Sequence, residues 1–344
     1  MNTSDIQFVD GVRQMYLPKL NTVQKISESG LRKWLSQSDS FIPVNTSNSN
    51  RIELCLYDTT EVIACLANDI SRLASAAFET VMSIDECTKD KKFLAWQLVE
   101  YYYSAFYSAH GTLKACNLGL TQIDSNMIAN IRRRAITLGI TLPSYSKGIY
   151  CTHIDSTSSK IILFRVSRYD DSHKGLWQRY SDFLGILSGV SVATNSFDSN
   201  CVRSRKPNEP TPLCVYSQLP SPDSHRIIAK IDEIKNTLNK KGDNNWLSFM
   251  RNSINYNHAF GVWYPFKTFD STFAQFAGFN HLFIKDPLNT DLTIFGDTEL
   301  HEFIKCCQSI NSINYAVLCD LSQRHPESKS FLRTGPLEYV KLHT

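Results

Sequence analysis

The chain has 344 residues, enough for one large domain or two ordinary ones with a sizeable core. Its net charge of +3, from 36 basic and 33 acidic residues, excludes a basic coat over the whole surface and leaves only local patches for nucleic acid. The ten cysteines form no Cys-x-x-Cys pair, which favours buried free thiols. Because no signal-peptide pattern and no apolar run of roughly 18 residues is present, we expect a cytoplasmic protein without membrane contact.

The first part of the chain, residues 1–57, is predicted to be an N-terminal extension. Its Ser/Asn-rich stretch 36–50 indicates a loop, and the following RIELCLY segment, 51–57, is either a strand or an extended lead-in. Apolar residues then recur with the helical period and predict a long helix over 58–85. Asp58, followed by a glutamate three residues later, resembles a capping box at its start.

A second long helix is predicted over 93–118, and its two sides differ. Small residues on one side allow a neighbouring helix to approach closely, whereas the other side carries aromatic and polar side chains. Aromatic residues at helical spacing are more often core than site. The polar residues among them nevertheless predict a cavity beside the later helix around residue 251. The residues expected to bind substrate there are Glu100, Tyr107, His110 and Lys114.

The middle of the chain, about 145–222, is predicted to be an insertion between helices. Within it, 148–155 and 160–169 predict a β-hairpin, and 175–187 predicts a helix. Just before the insertion, 123–138 predicts a helix with three consecutive arginines. Such a run is either a solvated face or a basic patch for a phosphate backbone.

Further helices are predicted over 224–241 and 298–322, followed by a peripheral tail, 323–344. The chain is therefore predicted to be mainly α. It consists of a helical domain over 58–322, interrupted by a small β-containing insertion.

The stretch 244–265, NNWLSFMRNSINYNHAFGVWYP, predicts a helix of about 15 residues between capping signals. Arg251 and His258 are two helical turns apart, which would place them within about 20° of each other on one face, with Asn255 between them. A helix that aligns these three side chains is suited to holding a phosphate. The residues predicted to form its buried face are Trp246, Phe249, Met250, Ser253, Tyr256 and Phe260.

A chance pairing is the alternative explanation, because the composition alone produces Arg/His pairs at similar spacings. One such pair is Arg168 and His173 in the segment RYDDSH, which lacks a helical period. We interpret that segment as a solvated loop.

Several familiar catalytic patterns are absent from the sequence. It contains no phosphate-binding Gly-rich loop, no Gly-x-Ser-x-Gly elbow and no His-Glu-x-x-His zinc helix. No carboxylate cluster suggests a two-metal site. The sequence therefore predicts chemistry performed by Arg and His without a metal or other cofactor.

Two segments together resemble the HEPN superfamily, all-helical proteins found among RNA-cutting toxins and abortive-infection proteins. YYYSAFYSAHGTLKA, 101–115, is similar to the Tyr/Ala/Phe/His-rich helix of those domains. RNSINYNH, 251–258, is similar to their motif of Arg, a polar residue and a His after four to six residues. The resemblance covers about 58–140 and 224–322 and implies a HEPN-like helical bundle. The six residues between Arg and His are at the long end of that range.

This resemblance implies that Arg251 and His258 are catalytic and that Asn252 supports them. It also implies RNA as substrate, a homodimer that forms the RNA cleft, and a role in antiviral defence or as a toxin restrained by an antitoxin or sensor. Independently, a histidine suits removal of the 2′-OH proton and an arginine suits the phosphate, while Asn255 is expected to contact substrate on geometric grounds. The alternatives are a non-catalytic HEPN-like module that binds nucleotide or protein, and a purely structural subunit.

Overall fold

The computed structural model describes residues 9, 11–88, 94–166, 172–188, 222–263, 280–284 and 298–343. Within these residues the protein is mainly helical with a smaller β component, which confirms the predicted class. Among them no helix is both long enough and apolar enough to span a bilayer. The helices are α1 Leu31–Gln37, α2 Thr59–Thr88, α3 Leu94–Ala115, α4 Ser125–Thr137, α5 Ser172–Ser188, α6 Pro222–Leu238, α7 Trp246–Asn255, α8 Glu299–Gln323 and α9 Pro336–Leu342.

The strands form one antiparallel sheet in the order β1-β2-β5-β4-β3. Its inner strands are buried on both faces: the consecutive side chains Ile161, Ile162, Leu163 and Phe164 of β5 are all buried, and so are Ile52 and Leu54 of β2. Pro43 lies in β1 at the edge of the sheet, where its missing N–H costs no ladder bond. The strands are β1 Phe41–Val44, β2 Arg51–Leu56, β3 Leu120–Ile123, β4 Gly148–Asp155 and β5 Lys160–Arg165.

The predicted hairpin is confirmed over 148–155 and 160–165, because β4 pairs with β5 from Tyr150 opposite Arg165 to Asp155 opposite Lys160. Residues 167–169 of the predicted second strand lie outside the described residues. The sheet is larger than the insertion, however. β5 also pairs with β2, which belongs to the predicted N-terminal extension, so hydrogen bonds join the two regions. β3 was not predicted. Its four residues are too few to show a period of two before the helix α4 begins.

Helix α3 occupies the centre of the helical layer and contacts α2, α8, α7 and α5. Its predicted small side is buried, with Ala105 and Ala109 fully enclosed. On the side of α3 that faces α8, buried hydroxyl groups form hydrogen bonds where apolar contacts would otherwise be expected. Asn311 donates to Ser104 Oγ at 2.9 Å, and Thr112 donates to Asn314 Oδ1 at 3.2 Å. These hydrogen bonds fix the register of two helices that run in the same direction, because buried polar atoms must find partners.

Lys114, near the end of α3, forms a buried ion pair with Asp69 of α2. Its Nζ lies 3.2 Å from Asp69 Oδ2, and the side chains of Lys114 and Asp69 are 8% and 13% exposed. The predicted role of Lys114 in binding substrate therefore competes with a structural role. Asp69 also fills the space beside Gly30, where a Cβ would lie only 2.0 Å from Asp69 Oδ1.

We expect Asp69→Asn to lower the free energy of unfolding by about 3 kcal/mol, because it leaves the Lys114 ammonium buried without a counter-charge. The matched control is Asp39→Asn, which breaks an ion pair with Arg133 whose two side chains are each 56% exposed. That change should cost less than about 1 kcal/mol. Denaturant unfolding of both variants measures the difference; equal losses would contradict the assignment of Lys114 to the core.

Candidate functional site

The helix that carries the candidate site ends earlier than predicted. α7 stops at Asn255, and His258 adopts a left-handed conformation with φ 50° before a 3-10 turn at Ala259–Gly261. The expected helix of about 15 residues is therefore wrong. His258 does not share a helical face with Arg251, so the geometric basis for pairing them is lost.

Trp263 explains the early end of α7. Its Nε1 donates to the carbonyl of Ile254 at 2.6 Å. In a continuing helix, that carbonyl would accept from the backbone N–H of His258, four residues later. The indole takes the place of the backbone donor, and the ring of His258 instead lies 5.3 Å from the Trp263 ring, centroid to centroid. His258 is exposed to solvent.

The predicted buried face of α7 is also wrong in part. Trp246 and Met250 are fully buried as expected, but Phe249 and Tyr256 are 43% and 68% exposed. The helix instead buries Arg251, which is only 9% exposed. The face is rotated because the arginine packs against tyrosines of α3, a tertiary contact that the periodicity of α7 alone does not reveal.

Arg251 lies among aromatic rings rather than carboxylates. Its Cζ is 5.2 Å from the ring centroid of Tyr102 and 6.0 Å from those of Tyr103 and Tyr256. Among the described residues it forms no ion pair, and its buried Nε has no hydrogen-bond partner. The aromatic faces attract the cation but do not neutralise it. A buried charge of this kind is suited to an anionic ligand.

The tyrosine ring beneath Arg251 is fixed by three hydrogen bonds from two helices, α5 and α7. The hydroxyl of Tyr102 lies 2.7 Å from His173 Nδ1 and 3.0 Å from Ser248 Oγ, and it accepts from Trp177 Nε1 at 3.2 Å. Burial raises the pKa of Tyr102 to about 12, although its hydrogen bonds and the charge of Arg251 act in the opposite direction. The hydroxyl is therefore neutral at physiological pH.

His173 belongs to the aromatic cluster around Arg251, and the sequence analysis did not place it there. The interpretation of its segment as a solvated loop is wrong for His173, which lies in the first turn of α5; its presumed partner Arg168 is outside the described residues. The His173 ring is 4.5 Å from that of Phe106 and 5.8 Å from that of Tyr102. A detectable signal existed, since His173 and Trp177 are four residues apart and extend the apolar face of the predicted helix.

The substrate-binding candidates on α3 lie in two different surroundings. Tyr107 packs against Tyr103, and the ring of His110 is 4.8 Å from that of Phe106. Burial, followed by the charges of Lys114 and His173, lowers the pKa of His110 to about 3. Tyr107 and His110 thus belong to the same aromatic cluster as Arg251 and His173. Their contact with a substrate stays a prediction.

Glu100 is half-buried, and among the described residues it has no ion pair or hydrogen bond. Burial raises the pKa of its carboxyl group. Asn252 is exposed on α7, and Asn255 is the last residue of that helix. In the described part of the chain, no hydrogen bond or ion pair joins these three side chains to the Arg251 guanidinium.

Among the described residues, no group of three or more His, Cys, Asp or Glu side chains is arranged to hold a metal ion. A scan against protein-family models, a search of curated proteins and a search of solved structures each found no match to this chain.

The pKa of His110 predicts a contribution to acid sensitivity. A histidine in the unfolded chain takes up a proton near pH 6.5, whereas folded His110 remains neutral down to about pH 3. The unfolded state therefore binds more protons in this window, and stability falls as pH drops below 6.5. By linkage, the loss at pH 5 is at most about 2 kcal/mol.

We expect His110→Gln to reduce the loss of stability between pH 7.5 and pH 5 relative to the unmodified protein. Urea unfolding at both pH values measures this loss. His258→Gln is the control, because that histidine is exposed and its replacement should leave the difference unchanged. An identical pH dependence in the His110 variant would show that its imidazole is protonated in the folded protein.

Proposed function

We propose that this protein is a metal-independent endoribonuclease that holds an RNA phosphate at Arg251. The observation that carries the proposal is a buried guanidinium that has no carboxylate partner among the described residues. A phosphodiester supplies the missing negative charge, and an arginine can donate two parallel hydrogen bonds to its oxygens. The resemblance to HEPN ribonucleases independently implicates the same residue.

The chemistry requires the 2′-OH to lose a proton, attack the adjacent phosphorus and expel the 5′-oxygen. Arg251 would stabilise the charge that develops on the phosphate oxygens. The HEPN resemblance assigns proton transfer to His258 and a supporting role to Asn252, and both side chains are exposed to an incoming strand. The products are a 2′,3′-cyclic phosphate and a 5′-hydroxyl. The same resemblance supports a homodimer, a role in antiviral defence or toxicity, and restraint by an antitoxin or sensor protein.

An exposed aromatic ring beside Arg251 favours RNA over a compact anion such as a free carboxylate. The ring centroid of Tyr256 lies 6.0 Å from the Arg251 guanidinium carbon, and Tyr256 is 68% exposed. Bases stack on such rings while cations hold the backbone, and each stacked base contributes about 1–3 kcal/mol.

Arg251→Ala is expected to lower the rate of RNA cleavage in EDTA at least about 100-fold, because it removes the charge facing the phosphate. The matched control is Arg132→Ala, which removes an exposed arginine of α4 bonded to Ser144. Its rate should be unchanged. Gel analysis of a labelled RNA measures the rate and identifies the cyclic phosphate, and circular dichroism verifies folding. Full activity in the Arg251 variant would rule out this site. An unmodified protein that cleaves RNA without EDTA but not in its presence would rule out the metal-independent mechanism.

A non-catalytic RNA- or nucleotide-binding module is the second candidate function. The position of His258 favours it, since the left-handed turn separates this imidazole from the helical face of Arg251. The two functions share the anion site and differ in whether the bound phosphate reacts.

In the binding-module case, the protein retains a labelled single-stranded RNA in a filter assay without cleaving it. Tyr256→Ala should weaken that binding about 5- to 100-fold, the loss of one stacked base. Tyr57→Ala is the control, because Tyr57 is another exposed tyrosine, placed after β2 and bonded to Arg134. Equal weakening by both variants would indicate that exposed aromatic surface in general, rather than the Arg251 site, holds RNA.

A further inference from the structure

A row of side chains on one face of α3 runs from the Arg251 site to an exposed tryptophan. Trp96, Glu100 and Tyr103 are four and three residues apart, a spacing that makes successive side chains neighbours on a helix surface. At one end of the row, the guanidinium carbon of Arg251 lies 6.0 Å from the Tyr103 ring centroid. At the other end lies Trp96, which is 51% exposed. The two ends are separated by a helical rise of about 10 Å.

The segment that follows α7 contacts the tryptophan end of the same row. The ring centroids of Trp263 and Trp96 are 5.8 Å apart, with an edge-to-face geometry. Trp263 is held beside α7 by its hydrogen bond to the carbonyl of Ile254. Contacts from α7 and its following turn therefore meet α3 at both ends of the row. Glu100 lies between the cation at one end and the two indoles at the other.

Glu100 supplies a carboxylate to which no described residue donates a hydrogen bond or an ion pair, although its side chain is half-buried. Burial alone raises the pKa of its carboxyl group, so the Arg251 guanidinium does not neutralise it. A carboxylate that has lost part of its hydration is stabilised by N–H donors, and two parallel donors match its two oxygens. The position of Glu100 therefore favours a ligand that carries two adjacent N–H groups.

Guanine is the one RNA base that offers such a pair on its Watson–Crick edge, where N1–H and the N2 amino group lie side by side. Adenine and cytosine place an acceptor nitrogen beside their amino group, and uracil places N3–H between two carbonyl oxygens. An ionised carboxylate repels such acceptors. The exposed indole of Trp96, one helical turn from Glu100, offers an aromatic surface on which a base can stack.

We propose that Trp96 and Glu100 form a guanine subsite, in which the base stacks on the indole and donates N1–H and N2–H to the carboxylate while its phosphate is bound at Arg251. The inference rests on the anion site of the proposed function and adds a base preference to it. Neither Trp96 nor Glu100 lies in the segments 101–115 and 251–258 that carry the HEPN resemblance. A free guanine nucleotide shares this chemistry, and we assign the subsite to a guanosine within RNA.

The first test measures the binding of four deoxydinucleotides, dGpdG, dApdA, dCpdC and dTpdT, to the full chain. Each has a single phosphodiester and lacks the 2′-OH that cleavage requires. Calorimetry is performed at pH 8, far above the usual pKa of a glutamate, because burial raises the pKa of Glu100. We expect dGpdG to bind about 5- to 100-fold tighter than the other three, the discrimination that one bidentate pair provides.

Glu100→Gln should abolish this preference, because the amide presents a donor to one of the two guanine donors. Glu79→Gln is the matched control: it makes the same change of net charge at an exposed glutamate of α2 and should retain the preference. Trp96→Ala should weaken binding of all four dinucleotides about 5- to 100-fold, the loss of one stacked base, while keeping their ratio. Circular dichroism verifies folding of each variant.

Equal affinity of the unmodified protein for the four dinucleotides would overturn the inference, as would no binding or a guanine preference that survives Glu100→Gln. A filter assay with the uncleavable 2′-O-methyl pentamers UUGUU and UUUUU distinguishes the two sources of guanine. Tighter binding of UUGUU supports the assignment to RNA. Equal binding of the pentamers beside guanine-selective binding of the dinucleotides would overturn it in favour of a free nucleotide.

Failure of the proposed function is distinguishable from failure of this inference. Guanine-selective binding that requires Arg251 and Glu100, in a protein that cleaves no RNA, supports the subsite and removes the nuclease activity. RNA cleavage that requires Arg251, in a protein that binds the four dinucleotides equally, supports the nuclease activity and removes the subsite.

Discussion

The contact between the Arg251 guanidinium and the face of the Tyr102 ring determines how the helices around the candidate site are arranged. To bury this cation, α7 turns its arginine inward and leaves Phe249 exposed. The ring is held from its other end by Ser248 on α7 and by residues of α5, so three helices converge on one phenol. A cation–π contact contributes only about 1–2 kcal/mol. This contact offsets only part of the free-energy cost of burying the guanidinium. An anion bound beside Arg251 would offset more of it, so the site favours anions.

The two sides of helix α3 pack against the core differently, one through hydrogen bonds and the other through aromatic rings. Toward α8 its hydroxyls meet the amides of Asn311 and Asn314 in a seam that fixes helix register. Toward α5 and α7 its aromatic rings form the cluster that contains Arg251. The rigidity of the first side supports the second, because hydrogen-bonded partners restrict sliding of α3 along its axis. A displacement of one helical turn would exchange Tyr102 for Phe106 and remove the hydroxyl on which the cluster depends.

Long amphipathic helices and the β4–β5 hairpin were predictable because their residues repeat with a clear period. The five-stranded sheet was not, since β2 and β5 are far apart in sequence and pair only through tertiary packing. Arg251 was selected as a candidate from its sequence context, but that context did not predict its burial among aromatic rings. The end of α7 was missed because its cause, the indole of Trp263, lies nine residues beyond the carbonyl it bonds. His173 was missed for the same reason: its importance comes from a neighbour on another helix.

The hydrogen bond from Trp263 to Ile254 places one carbonyl in competition between two donors. Either the indole occupies it, or the backbone of His258 does and the helix gains another turn. The second arrangement would carry the imidazole around the axis to the flank that bears Arg251. The left-handed residues His258 and Phe260, at φ 50° and 64°, give the unwound arrangement a conformational cost of its own. The position of the His258 imidazole relative to Arg251 therefore depends on whether the Trp263 indole is bonded to the carbonyl of Ile254.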